Sequence, residues 1–379
     1  MKAIINAKVV TENSAADGGI LFDERICEIG DIHAGGAEVI DACGAYVIPG
    51  FVDVHIHGYK GFDTSDGNKS GIENIAKALT SNGVTAWCPT TMTVSMEDIQ
   101  TALDQIGELM QGGEGARVLG ANVEGPFINP EKKGAQSAEF VKKPNADFII
   151  KNKDRIKLVT LAPEVDGGIE FIKRVTAETE VNVSVGHTAA NLNLACAAFA
   201  AGARQVTHLF NAMPPLNHRE PGVIGAALTD DRVYCELIAD TFHINPVLFK
   251  ILDKVIGDRL VLITDCMRAG GMPDGEYTLG GQPVSVRGIE CRLSDGTIAG
   301  SILTMNMAVK NFMDAVGCPI WEAVKKASLN PARSVGEDES IGSLTVGKRA
   351  DIVICDSNIN IQKTIIGGSL EYDCNRQFV

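Results

Sequence analysis

Aromatic residues are scarce in this chain, at 5% of positions, which removes the stacking platforms on which single-stranded nucleic acids lie. Positive charge is short as well. Against 48 aspartates and glutamates stand 34 lysines and arginines, a net charge of −14. Such a field repels polyanions and favours solubility, so an anionic ligand would need a local basic patch. No apolar stretch reaches transmembrane length without charges. The N-terminus, Met1-Lys2-Ala3-Ile4-Ile5-Asn6, lacks the apolar core and cleavage pattern of a secretion signal. The ten cysteines form no Cys-x-x-Cys pair, and most, such as Cys88, Cys196, Cys235 and Cys355, lie in apolar runs. They read as reduced, mostly buried thiols. These absences leave a cytoplasmic globular enzyme with no nucleic-acid or membrane partner.

What is present has an order. A chain of 379 residues fits a barrel of roughly 250 residues plus a smaller module. Residues 1–48 read as short strands (3–10, 19–22, 26–29, 39–40 and 45–48) separated by Gly, Asp and Asn. The far end has the same texture at 341–344, 350–355 and 361–366. Neither end holds enough apolar surface for a core, so the two should pair into one β-sandwich. Between them eight apolar runs, 51–57, 84–89, 118–124, 158–162, 181–187, 206–208, 235–239 and 260–265, alternate with helical spacing. That spacing appears at 72–81, 96–110, 169–179, 192–201 and 246–256. Eight such units predict a (β/α)8 TIM-type barrel, an α/β fold. Residues 275–300 read as hairpins inserted after strand eight, with helices 303–316 and 320–328 finishing the barrel. The division expected is 1–48 and 339–379 for the sandwich and 49–338 for the barrel.

Five metal-type side chains and one further acid fall at or beside the ends of these strands. His55 and His57, two apart, project from the same face and can hold one ion, and Gly58 opens space beside them. Glu124 stands before Gly125-Pro126, which must end its strand abruptly. His187 and His208 each close or follow a strand, and with Glu124 they make a His₂Glu set, the composition of a catalytic zinc site. Asp265 ends Leu-Val-Leu-Ile-Thr-Asp, where a buried carboxylate is costly without a cation or an acidic water. The poor helix former after it weakens the reading of a helix cap, and Asp265 is assigned as general base and then acid. Cys266 reads as a packed thiol. A metal that acidifies water and polarises a carbonyl, beside a carboxylate that shuttles a proton, fits hydrolysis of an amide C–N bond.

The run Pro49-Gly50-Phe51-Val52-Asp53-Val54-His55-Ile56-His57-Gly58 resembles the opening signature of the amidohydrolase superfamily. With Glu124-Gly125-Pro126, Gly186-His187-Thr188, Asn211-Ala212-Met213, Arg219-Glu220-Pro221-Gly222 and Thr264-Asp265, the chain resembles the N-acetylglucosamine-6-phosphate deacetylase family. Its close relatives act on the galactosamine epimer. The resemblance implies a metal held by Glu124, His187 and His208, with Asp265 as acid–base residue. Members of the family hold one or two ions; this chain keeps His55 and His57, so Glu124 would bridge if two are bound. Zinc and iron both suit the set. The resemblance further implies substrate contacts from Ala135 and the next position, from Asn211 and Ala212, and phosphate contacts from Arg219 and His243. The last two would reach in from a neighbouring subunit of a homodimer. One departure stands out: where the family has a sugar-binding histidine, this chain has Gln136, which donates and accepts but carries no proton charge.

Overall fold

In the computed structural model, which describes residues 1–375, the eight expected wall strands are present. They run Phe51–Ile56, Val84–Thr91, Ala121–Glu124, Ile156–Leu161, Asn182–Val185, Gln205–Val206, Tyr234–Ile238 and Leu260–Ile263. Each lies parallel to the next in chain order. The first three are buried along their whole length, as strands covered on both faces must be. Closure between the eighth and first strands happens at the rim. Asp265 N–H donates to His55 O at 2.9 Å, and His57 N–H to Cys266 O at 2.9 Å. Below them the Thr264 hydroxyl donates to Asp53 Oδ2 at 2.6 Å. The seam that shuts the barrel is therefore built from the residues singled out for chemistry.

Helices pack outside where the apolar spacing placed them: Lys69–Leu79, Met96–Leu109, Gly168–Glu178, Leu192–Ala201 and Val247–Ile256. Asn68, Ser95 and Asn191 cap three of these with side-chain oxygens that accept backbone N–H groups. Gly222–Thr229, between the sixth and seventh strands, was not anticipated. Its sequence, Gly-Val-Ile-Gly-Ala-Ala-Leu-Thr, has almost no polar face, so no period shows. The expected run 118–124 is divided into Arg117–Val118 and Ala121–Glu124, with Gly120 at φ +140° between them.

Strands from the two chain ends share one hydrogen-bonded sheet of eight. Tyr46–Pro49 pairs antiparallel with Ile352–Cys355, joining the ends. Lys2–Val10 carries a bulge between Ile4 and Ala7, so its halves pair with Glu38–Asp41 and Tyr46–Pro49 respectively. Ile4, Phe22, Val47, Ile352 and Ile354 form a core of their own there. The strands Gly275–Leu279, Gln282–Arg287 and Glu290–Arg292 make the inserted antiparallel sheet. It packs Leu279 and Val284 on Met92, Ala135 and Met267, beside the barrel mouth. All ten cysteines are unpaired, but Cys196 is exposed rather than buried. It lies on the outer side of Leu192–Ala201, whose inner side is Ala195, Ala198 and Phe199. Among the described residues no helix is long and apolar enough to cross a membrane.

Candidate metal centre and active site

Glu124 is the hub, 2% exposed at the end of the third strand. Its Oε1 lies 3.0 Å from His208 Nε2, 3.2 Å from His187 Nε2 and 3.3 Å from His55 Nε2. Its Oε2 lies 3.3 Å from His57 Nε2. Asp265 Oδ1 stands 3.2 Å from His57 Nε2 and 3.5 Å from His55 Nε2. Two ligand groups result, His55–His57–Glu124 and Glu124–His187–His208, with donor atoms within 4.8 Å of one another in each. All five side chains predicted as ligands converge, and the predicted acid–base residue joins them.

Local backbone explains how strand ends aim inward. His187, His208 and Asp265 sit at φ +46°, +32° and +50°. Side chains rarely adopt that region, and such strain collects at functional sites. A side chain at position 58 would run into Phe62 O at 2.2 Å, so Gly58 lets the chain turn directly after the histidine pair.

Polar contacts behind the imidazoles set their tautomers. His55 Nδ1 is 2.9 Å from Glu236 Oε2, His187 Nδ1 is 2.9 Å from Lys132 O, and His57 Nδ1 is 3.3 Å from Thr90 O. Each partner accepts a proton at Nδ1, which leaves Nε2 as the lone-pair nitrogen facing Glu124. His187 Nε2 and His208 Nε2 stand only 3.1 Å apart, and His55 Nε2 has no hydrogen-bond partner. Lone pairs crowded this closely around a buried carboxylate fit a divalent cation. The electrostatics agree. Burial alone would lower His57, but its hydrogen bonds to the Asp265 and Glu124 carboxylates raise it to about 9. Burial likewise opposes the charge on Glu124 and Asp265, yet the surrounding histidines hold both below the usual carboxylate range. The pocket is built for positive charge.

A cavity of about 250 Å³ opens above this cluster, lined by Ala135, Gln136, Asn211, Ala212 and His243 together with His57, Glu124, His187, His208 and Asp265. Leu279, Thr297, Ile298 and Gly300 from the inserted segment complete its wall. Two expectations meet a different geometry. His243 lines the cavity of its own chain, where the reading above had it serve a neighbour. Asp240 pins it there, taking His243 Nδ1–H at 2.6 Å and the Phe242 and His243 N–H groups at 2.9 and 2.8 Å. Gln136, expected at the sugar, has both ends engaged by protein: Oε1 accepts Thr93 N–H at 2.6 Å and Nε2 donates to Glu124 Oε2. Arg219 is exposed and stands outside the lining. Its neighbour Glu220 accepts Leu192 N–H.

Glu236 was missed. Fully buried in Tyr234–Ile238, it accepts from His55, from His208 N–H at 3.1 Å and from Gln205, tying both histidine groups to one carboxylate. The signal was a lone acid inside Cys-Glu-Leu-Ile. Asp53 was missed likewise; burial pushes it up to about 7, held back by Thr264. Cys266 is a buried thiol whose pKa burial drives up, so it stays neutral beside the cluster.

Residues 46–370 match the amidohydrolase family. The chain is 40% identical to the N-acetylgalactosamine-6-phosphate deacetylase of Escherichia coli O157:H7, over 85% of this chain and 86% of that one. It is 38% identical to the N-acetylglucosamine-6-phosphate deacetylase of Bacillus subtilis (strain 168), over 96% and 95%. Its fold matches a Mycobacterium smegmatis N-acetyl-D-glucosamine-6-phosphate deacetylase variant solved in complex with N-acetyl-D-glucosamine-6-phosphate. That match has a TM-score of 0.91 at 30% identity, covering 98% of this chain and 99% of the other.

Proposed function

The chain belongs to the amidohydrolase family, and from that premise we propose that it hydrolyses the acetamide of N-acetylglucosamine 6-phosphate to glucosamine 6-phosphate and acetate. One observation carries the reading. The strand-end histidines, Glu124 and Asp265 meet beneath a cavity of sugar size, in a chain alike over nearly its full length to deacetylases of this substrate.

Glu124, His187 and His208 would hold a divalent ion, zinc or iron, with His55 and His57 able to hold a second through Glu124. When bound, the ion would supply Lewis acidity, drawing density from the amide carbonyl and lowering the pKa of water to near 7. The remaining work falls to the chain. Asp265, beside the ligand histidines at the barrel mouth, accepts the proton of the attacking water at a carboxylate oxygen. It then delivers that proton to the amine nitrogen as the C–N bond breaks, so that one residue is base and then acid. Asn211, Ala212 and His243 line the side of the cavity where the sugar and its phosphate would lie. Arg219, exposed and off this chain's cavity, is proposed to serve the phosphate of a second copy in a homodimer, where its planar fork suits phosphate oxygens. Ten unpaired thiols support a reducing compartment, the cytoplasm.

One relative carries the galactosamine epimer in its name, so the test uses both sugars. Metal-loaded protein is incubated with N-acetylglucosamine 6-phosphate and N-acetylgalactosamine 6-phosphate, and acetate release is measured. Faster release from the glucosamine form is expected. A preference for the other epimer would move the assignment to that sugar, and release from neither would end the reading.

A further inference from the structure

A second cavity, of about 330 Å³, lies between the barrel wall and the sheet built from the chain ends, and both Arg117 and Arg349 line it. It is far from the metal groups: Arg117 pairs with Ala86, low on the second strand, whereas Glu124 ends the third at the mouth. Arg117 Nε and Nη2 and Arg349 Nε are buried, and none has a hydrogen-bond partner among the described residues. Buried donors in that state point to a partner outside the chain. Nearby carboxylates do not supply it. Asp351 Oδ2 stands 3.8 Å from Arg349 Nε, beyond hydrogen-bond reach, and its Oδ1 is taken by Gly367 N–H at 2.8 Å. Glu337, the other acid whose charge supports Arg117, is paired with Lys157 at 2.8 Å. Two guanidinium groups therefore share one carboxylate, and one positive charge is left over. Burial works against the charge on Arg117, and Arg349 adds to that opposition.

The surrounding backbone makes room for this. A side chain at position 367 would meet Arg349 Nη2 at 2.5 Å, so Gly367 admits the guanidinium. Across the cavity Gly115, at φ +81°, presses on helix Lys69–Leu79, where a side chain would meet Ala76 at 2.6 Å. Ala116 N–H fixes the same wall by donating to Ala76 O at 2.9 Å. Glu73, Glu114 and Glu371 also line the cavity, but Glu114 and Glu371 are exposed, and Glu114 is held by Lys77 at 2.6 Å. A cationic floor beneath acidic side chains admits a small anion and turns away a polyanion. Two planar forks suit a tetrahedral oxyanion. We propose that Arg117 and Arg349 bind a phosphate group at a site separate from the barrel mouth.

Equilibrium dialysis of the metal-loaded chain against radiolabelled inorganic phosphate counts the ions bound and their affinity. Arg117→Met should lose one phosphate per chain or weaken it about tenfold or more, and Arg349→Met should do the same. His243→Ala, at the mouth, should leave that phosphate in place. Competition with glucose 6-phosphate then tells an esterified ligand, which displaces the label, from a free ion, which is not displaced. A second measurement guards against a merely structural role. Because Arg117 has no partner within the chain, Arg117→Met should unfold in phosphate-free urea no earlier than wild type, and phosphate should raise the wild-type midpoint more than that of the variant. If the methionine chain does not fold, Arg117→Gln serves for both measurements. No phosphate bound by the wild type, or equal uptake by wild type and both arginine variants, would overturn the site.

Discussion

Asp265 joins two demands that usually conflict, burial and ionisation. Its carboxylate is sunk at the barrel mouth, where burial opposes its charge and positive charge on the His57 and His55 side favours it. Asp265→Asn keeps the shape and loses the proton acceptor. The expected result is a kcat lower by about 100-fold to 10,000-fold with metal content unchanged, measured by acetate release and metal analysis on the same preparation. Near-normal rates would remove the acid–base assignment. Glu236 makes a separate prediction, because it holds His55 Nδ1–H and the His208 backbone N–H at once. Glu236→Gln should weaken zinc binding about 10-fold to 100-fold, read by competition with a chelating dye, while the far-ultraviolet spectrum stays the same. Unaltered affinity would make Glu236 a packing residue only. The contrast between these two acids marks what single residues disclose. Asp265 ended an apolar run and could be read, whereas Glu236 sat inside one and was passed over, its purpose visible only once strand six was seen beside strand seven.

At the scale of elements, period and punctuation carried most of the information. Leu192–Ala201 falls where the spacing placed it, and the others shift by a few residues at their ends, where caps rather than periodicity decide. Two kinds of element escaped. Gly222–Thr229 is apolar all round, so no face stands out, and Ser369–Asp373 gains its strand character only from pairing with Ile361–Ile366. The Gln136 tether escaped for a related reason: it depends on a loop folding back onto Glu124, a contact between positions with no shared period. Caps give this scale its prediction. Ser95 Oγ accepts Asp98 N–H at 3.1 Å at the start of Met96–Leu109, on the outer wall of the barrel. Ser95→Ala should cost about 1 kcal/mol in urea unfolding, with zinc binding and KM unchanged. A loss of zinc binding would show that the cap is coupled to the mouth through Thr93, two residues before it, whose N–H holds Gln136.

For the whole molecule the open matter is where the phosphate finds its cation. The chain carries a net charge of −14, and among the described residues the lining of its own cavity offers His243 but neither lysine nor arginine. Beyond the imidazoles of the ligand groups, a phosphate monoester there would find one, His243, to offset its charge. Arg219, on an exposed segment outside that lining, is the group a second copy could supply. Arg219→Ala alone should chiefly raise KM for the phosphorylated sugar, but that result would not say whose site the guanidinium serves. Mixing does. Arg219→Ala chains retain Asp265 but lend no guanidinium; Asp265→Asn chains lend the guanidinium but turn nothing over. In a hybrid dimer the site of the first chain receives Arg219 from the second and is complete. Unfolding and refolding the two variants together should therefore recover low-KM activity in the hybrid fraction, about half of all dimers if pairing is random. If Arg219 acts within its own chain, no mixture can restore it, and the refolded sample will show only the high-KM activity of the Arg219→Ala parent.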